Sequence, residues 1–306
     1  MGFPSNHLFT TMNEYGLPAL PCYLNGAFTT LDQAKVSVMD RGFIFGDGVY
    51  EVVPVYAGKP FRFAQHMARL ARSLAELRIP NPMTVEEWRG VVDHLVTAYA
   101  KTLDKAASET DQLVYIQVTR GVAMRDHAMV PGLQPTVFAT SNKITPPSDT
   151  DRSAGVQCIT ADDFRWKKAH IKAVSLLGAV MSRQMSVDAG AAETIMFRDG
   201  FLSEGASANV WVVKDGVVIG APKDNLVLEG IRYGLFEQLC ADAGIAFELR
   251  RVARDEVFGA DEVLLSNASK ELLPVTQLDG QPIGNGQPGP MYQKLFALYQ
   301  RAKLSS

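Results

Sequence analysis

The sequence predicts an α+β fold in two domains. Hairpin turns recur along the chain, strand-like and helix-like periods follow one another in mixed order, and one polar break falls near the middle. Hairpins join antiparallel neighbours, whereas a doubly wound α/β fold needs strict strand–helix alternation. With 306 residues and 47% hydrophobic content, the chain can bury one large core or two medium ones.

The elements follow in order. "CYLNGAF" reads as a hairpin turning at Asn25-Gly26, and "GVYEVVPVYAGKPF" as two strands around Ala57-Gly58. Phe63, Met67, Leu70, Leu74 and Leu77 then recur at helical spacing, and this helix stops before Pro80. A second helix opens at Thr84 with Glu87 three residues on, a capping box, and carries Val85, Trp88, Val92, Leu95 and Tyr99 on its apolar stripe. "LVYIQVTRG" and "TVFATSN" are strands. Residues 141–151, "SNKITPPSDTD", are polar and aperiodic, so they are read as a linker between a domain at 1–140 and another at 152–306. Beyond the strand "GVQCITAD", Ser175 can cap a helix that stops at Asp188-Ala189-Gly190. Hairpins follow at Asp199-Gly200 and Asp215-Gly216. A helix runs from Ile231 to near Gly244, "FELRRVA" and "DEVLLSN" are strands, and a last helix opens at Pro290.

The totals exclude several classes. A net charge of -3 lacks the basic excess of a nucleic-acid binder. No apolar stretch approaches a membrane span, and "MGFPSNHLFT" has neither the basic nor the apolar region of a signal peptide, which points to the cytoplasm. Cys22, Cys158 and Cys240 are odd in number and far apart, as reduced thiols are. Five histidines form no HExxH pair and no CxxC exists, so no metal site is expected. "GNGQPG" matches GxGxxG by letter, but the chain ends before the acid a dinucleotide fingerprint requires.

Several residues bear chemistry, each with a plainer reading beside it. Lys172 differs from Lys167 and Lys168 in lying between Ile171 and Ala173-Val174. It reads either as a stem laid on apolar surface with its head in water, or as a reactive amine whose burial favours the neutral form. Gly230 precedes a helix, so the amides of Ile231 and Arg232 either meet an anion or merely follow a loop glycine. Ser266 and Asn267 end a strand as phosphate donors or as an ordinary turn. Arg69 lies off the apolar face of its helix, where arginines are commonly solvated. Glu204 is placed in a turn between strands; it is exposed there unless a cation accompanies it into the interior. Arg125 and His127 in "RDH" project to one side of an extended segment and suit a carboxylate, or belong to an exposed loop. Tyr50 is core or a site hydroxyl.

Taken together, "YLNG", "DRGFIFGDGVYEVV", "YIQVTRG", "RDH", "DFRW", "IKAVSLLGAV", "SEGASANV", "LEGI" and "LLSNAS" resemble the pyridoxal-phosphate enzymes of fold type IV, the class IV aminotransferases. Within them the chain looks most like the D-amino-acid (D-alanine) aminotransferases, from about Tyr23 to Leu295. The resemblance implies a smaller N-terminal α/β domain and a larger C-terminal domain with mixed sheets and a barrel-like core. It also implies pyridoxal 5'-phosphate as cofactor and a homodimer. The family's Schiff-base lysine, after the "DFRW" strand and before a helix, falls on Lys172, and the acid on the pyridine nitrogen on Glu204. The phosphate-binding arginine falls on Arg69, the phosphate-binding amides on Ile231 and Arg232, the strand-end ligands on Ser266 and Asn267, and the residue against the ring face on Leu228. The substrate-carboxylate trap falls on Tyr50, Arg125 and His127, the last two reaching the neighbouring subunit's site. Arg232 and Asn267 stand where relatives have threonine, which changes a side chain near the phosphate but no backbone amide.

The activity implied is transamination between a D-amino acid such as D-alanine and a 2-oxo acid such as 2-oxoglutarate. Branched-chain L-amino-acid aminotransferase, (R)-amine transaminase and aminodeoxychorismate lyase share the fold. The "RDH" element separates them, since it offers a two-residue trap for a carboxylate.

Overall fold

Tight turns organise the strands. The computed structural model describes residues 16–304, so the first ten residues, read above for a signal peptide, lie outside the described residues. It divides into two units: one running to Ile144 and taking in Ala173–Ser175, the other Thr145–Lys172 and Leu176 onward.

In the first unit β1 (Pro21–Leu24) and β2 (Ala27–Thr30) pair antiparallel across Asn25-Gly26. Both turn residues have positive φ, 47° and 95°, as a two-residue hairpin matched to strand twist requires. Asp40 caps the short helix α1 (Arg41–Phe45) by accepting from the Gly42 amide. The long strand β3 (Gly48–Tyr56) turns at Ala57-Gly58 into β4 (Lys59–Pro60). Helix α2 (Phe63–Glu76) buries Met67, Leu70 and Leu74 as the spacing predicts. Its buried face is wider than the apolar stripe, because His66, Arg69 and Ser73 also lie inside. Helix α3 (Val85–Lys101) has the expected capping box: the Thr84 hydroxyl accepts from the Glu87 amide at 3.2 Å and Glu87 accepts from the Thr84 amide at 2.7 Å. Trp88, Val92, Leu95 and Tyr99 are buried, while Val85 in the first turn stays exposed. Strands β5 (Gln112–Thr119) and β6 (Thr136–Lys143) complete a sheet in the order β2-β1-β6-β5-β3-β4.

Residues 141–151 are not all connection. The first three end β6, and the last three open α4 (Asp149–Ala154), where Ser148 and Asp151 form a second capping box. The second unit continues with β7 (Val156–Asp162), α5 (Leu177–Asp188), β8 (Glu193–Arg198), β9 (Phe201–Gly205), β10 (Asn209–Lys214) and β11 (Val217–Gly220). Then come α6 (Ile231–Asp242), β12 (Phe247–Leu249), α7 (Arg254–Phe258), β13 (Glu262–Asn267), β14 (Glu271–Leu278), β15 (Gln281–Pro282) and α8 (Pro290–Leu304). "FELRRVA" thus yields only three strand residues before Ala253 caps α7, and "GNGQPG" is a turn after β15. Helix α5 ends where expected but starts later. Its N-cap is Leu176, and the Ser175 hydroxyl donates instead to the Gly46 carbonyl at 2.7 Å, within the first unit.

The large sheet runs β12-β11-β10-β13-β14-β7-β8-β9, with β15 on β14. It must curl. Strands β9 and β10 are five places apart in that order, about 24 Å in a flat sheet at ~4.8 Å per strand. Only residues 206–208 join them, and such a link spans at most about 14 Å. The Gly205 amide donates to the Ala208 carbonyl at 2.7 Å and closes that link. Inside the curl Ile195, Val210, Val212, Val263 and Leu265 form a continuous core.

The capping box of α3 contributes to stability and lies among exposed residues. Thr84→Ala is expected to lower unfolding free energy by about 1 kcal/mol in urea titration, with catalytic rate unchanged.

Candidate active site

The surroundings of Lys172 are built by the irregular run after β7. "DFRW" is not a strand, since β7 ends at Asp162. The Asp163 amide donates to the Phe197 carbonyl at 2.7 Å, and Asp163 forks Arg165 through Nε and Nη2, both at 2.9 Å. Further on, the Ala169 amide donates to the Asn225 carbonyl and Asn225 Nδ2 to the Lys167 carbonyl, at 2.9 and 2.8 Å. These bonds hold the chain so that Ile171 and Ala173 are buried and Lys172 half-buried, while Lys167 and Lys168 are exposed.

Glu204 lies in strand β9, not in a turn, and is only 5% exposed. A buried carboxylate needs a cation or donors, and it has both. Arg165 Nη1 donates to Oε1 at 2.7 Å, and Asn209 Nδ2 to Oε2 at 3.3 Å. Burial pushes the Glu204 carboxyl above the usual carboxylate range, and Arg165 and the Leu228 backbone amide offset this only in part. The neighbouring Asp163 charge adds to the rise, and it shares Arg165 with Glu204. Burial also opposes ionisation of Asp163, yet its two bonds from Arg165 hold it below the usual range. Glu204 thus takes one bond of a guanidinium whose other two bonds go to Asp163, and Arg198 Nη2 also lies 3.0 Å from Asp163 Oδ2.

The same network reaches the start of α6. Asn209 Nδ2 also donates to the Leu228 carbonyl at 2.9 Å. The N-cap of α6 is Gly230, no side chain caps the helix, and the Tyr233 amide donates back to the Gly230 carbonyl at 3.0 Å. Across the β10–β13 pairing Asn209 faces Ser266. Leu228, Ile231, Arg232, Ser266 and Asn267 therefore gather around Asn209. Three of their side chains have other work. Arg232 is buried and its Nη2 donates to Tyr299 Oη at 3.0 Å. The Ser266 hydroxyl accepts from Trp211 Nε1 at 2.9 Å, which leaves its own hydrogen to donate. Asn267 Nδ2 donates to the Ser207 carbonyl, and Oδ1 accepts from the amides of Ser269 and Lys270. The side chains of Arg232 and Asn267 are thus fold-closing.

The first unit holds the remaining candidates. Arg69 is 5% exposed instead of solvated, because Glu51 on β3 forks it: Nε to Oε1 at 2.7 Å, Nη2 to Oε2 at 2.8 Å. His66 Nδ1 lies 2.7 Å from the same carboxylate. Burial alone would push Glu51 up; Arg69, then His66, hold it far below the ordinary carboxylate range. Arg125 and His127 are exposed in an irregular loop, not an extended one. Both approach Phe45: the guanidinium lies 5.3 Å and the imidazole ring 5.4 Å from its ring centre. Arg41 Nη1 anchors this loop by donating to the Asp126 carbonyl at 2.6 Å. Tyr50 stacks on Tyr115 at 5.8 Å on the sheet.

A profile of the class IV amino-transferases matches residues 48–278. The chain belongs to the class IV aminotransferases. Among class members it is 39% identical over 281 residues to the D-alanine aminotransferase of Bacillus licheniformis, covering 92% of this chain and 96% of that one. It is 37% identical over 274 residues to the D-alanine aminotransferase of Staphylococcus aureus strain MSSA476, covering 89% and 94%. Among solved structures, the branched-chain aminotransferase of Thermoproteus uzoniensis with norvaline superposes with a TM-score of 0.80 at 24% identity, over 94% of this chain and 95% of that one. The branched-chain amino acid aminotransferase of Escherichia coli gives 0.78 at 23%, over 92% and 94%. At such identities the likeness establishes the two-domain α+β fold of this class and no more.

Four residues of this class IV chain escaped the sequence reading: Glu51, His66, Arg165 and Asn209. A cationic partner for Glu204 was required by burial, but nothing in the order of residues pairs position 204 with position 165.

Buried Glu51 and Glu204 should answer differently to amidation in the cofactor-free protein. Glu51→Gln strands Arg69 and should cost about 3–5 kcal/mol. The contribution of Glu51 is complete above its unfolded value of about 4.3 and fades as the pH falls below it. Glu204 has the opposite sign: its raised pKa favours the fold below the unfolded value and penalises it as the pH rises. Glu204→Gln should therefore be at least as stable as wild type at pH 7. Urea titrations of both variants at pH 4 and pH 7 check the contrast.

Proposed function

We propose that this protein transfers an amino group between a D-amino acid, such as D-alanine, and a 2-oxo acid, such as 2-oxoglutarate, using pyridoxal 5'-phosphate. The observation that carries the cofactor is Glu204, a carboxylate buried on β9 and held by Arg165 and Asn209; a protonated pyridine ring is a further cation for such a group. The uncapped start of α6, a few residues from it through Asn209 and Leu228, suits the phosphate of the same molecule. D-alanine as donor is supported by relatives of 37–39% identity over about nine-tenths of the chain.

Pyridoxal phosphate, when bound, supplies the electron sink that lets an α-hydrogen leave as a proton. The rest is the work of the chain. Lys172 would hold the cofactor through its ε-amine and would move the proton at the donor's α-carbon. Glu204 holds a proton on the pyridine nitrogen. The amides of Ile231 and Arg232, the Ser266 hydroxyl, the Asn267 amide and the Arg69 guanidinium bind the phosphate, and Leu228 packs on the ring face. Tyr50, Arg125 and His127 bind the substrate carboxylate, with arginine as the two-pronged donor. Pinning that carboxylate leaves one enantiomer with its α-hydrogen toward Lys172.

A homodimer belongs to this reading, with Arg125 and His127 serving the partner's site. Its support is the loop itself, where Val122, Met124 and Met129 are exposed beside the two polar residues. A cytoplasmic location is supported by three buried, free cysteines. Among the described residues no helix is long and apolar enough to cross a membrane.

Two experiments test the roles. Lys172→Ala should abolish the bound cofactor's visible band and nearly all turnover while the protein stays folded, and Lys167→Ala and Lys168→Ala should do neither; a Lys172→Ala protein with wild-type absorbance and rate refutes the assignment. Arg125→Ala should lose roughly 2–5 kcal/mol of transition-state stabilisation with D-alanine, tens- to thousands-fold in kcat/KM, and His127→Ala less. The slow rate with (R)-1-phenylethylamine, which has no carboxylate, should barely change. Equal losses on both substrates would assign Arg125 to folding or assembly.

A further inference from the structure

Asn209 opens strand β10 and is 6% exposed. Its side-chain amide has two hydrogens, and two acceptors face it: Glu204 Oε2 at 3.3 Å and the Leu228 carbonyl at 2.9 Å. The orientation of the amide is fixed by this pairing, because a flipped amide would set Oδ1 against two oxygens. As it stands, Oδ1 lies against Gly230, where a Cβ would come within 2.0 Å of it. One side chain therefore bonds the buried acid, bonds the segment leading into α6, and occupies the space that a side chain at the helix N-cap would need.

A simpler role, closing the turn between β9 and β10, does not require these bonds. The Gly205 amide already closes that turn on the Ala208 carbonyl, and Asn267 Nδ2 supports it at the Ser207 carbonyl.

We propose that Asn209 is a positioning residue that fixes Glu204 relative to the N-terminus of α6, so that the acid for the ring nitrogen and the amides for the phosphate keep one spacing. This rests on the reading of the site given above. Asn209 touches neither reacting atom; it acts through Glu204 at one end and through Leu228 and Gly230 at the other. The match with Gly230 is part of the device. Alanine at 230 would push Asn209 from both acceptors, and shrinking Asn209 would make room for it.

The holoenzyme tests this with Asn209→Asp, Asn209→Ala, Gly230→Ala and the double Asn209→Ala/Gly230→Ala, against Glu204→Gln as reference. The readouts are the dissociation constant for pyridoxal 5'-phosphate, the pH midpoint of the bound cofactor's visible absorbance, and kcat and KM for D-alanine. Asn209→Asp keeps the shape, turns donors into acceptors and adds a negative charge. It should weaken cofactor binding about ten- to a hundredfold, the worth of one hydrogen bond to a charged group. The absorbance midpoint should move up, since negative charge favours every nearby proton. The loss of rate should fall on kcat, with KM for D-alanine little changed. Gly230→Ala should weaken cofactor binding alone but add little once Asn209 is alanine, and this arm stands even if the aspartate variant fails to fold. If Glu204→Gln alters affinity and midpoint while the Asn209 variants change only thermal stability, the brace is refuted and the cofactor reading survives. If Glu204→Gln alters neither, the reading of Glu204 fails and the brace falls with it.

Discussion

The proposed active site rests on one carboxylate buried inside the protein. Glu204 is 5% exposed on a strand of the curled sheet, where an ionised group is tolerated only with compensation. Arg165 provides some, but its planar fork is largely engaged by Asp163. The deficit is useful. In the proposed function a protonated ring supplies the missing positive charge. The irregular run 163–172 serves this end twice, placing Arg165 against Glu204 and presenting Lys172 between buried neighbours.

The clusters around Arg69 and around Glu204 handle buried charge in contrasting ways. Around Arg69, Glu51 and His66 complete a closed cluster in which the carboxylate is held well below the ordinary range. That arrangement spends its hydrogen bonds on fixing a guanidinium. Around Glu204 the balance is left open on one side. Rigid presentation of a cation and an acid awaiting a partner are two different electrostatic tasks, and the hydrogen-bond patterns differ accordingly.

Much of the fold is legible in the sequence because its signals are local. Asn25-Gly26, Asp199-Gly200 and Asp215-Gly216 all adopt the positive φ that two-residue hairpins demand, and Thr84 with Glu87 forms its capping box. What escapes is set by distant partners. Arg69 is off the apolar stripe of α2 but buried, because Glu51 on another element receives it. Ser175 has the chemistry of a helix cap but finds the Gly46 carbonyl first, and "DFRW" resembles a strand yet is bent by the Arg165–Asp163 fork. The resemblance sets Arg232 and Asn267 near a phosphate, and tertiary contacts engage both side chains within the fold. Substrate preference is written least in the fold, since the branched-chain enzymes superpose at 23–24% identity; the proposed function assigns it to side chains such as Arg125 and His127 near Phe45.

The central claim is that these side chains select a D-amino acid. The most direct measurement is a single turnover of the holoenzyme without a 2-oxo acid, following the loss of the cofactor's visible band after mixing with D-alanine, L-alanine or L-leucine. The account predicts rapid loss with D-alanine, one pyruvate per active site, and little change with either L-amino acid. Rapid loss with L-leucine and none with D-alanine would contradict it.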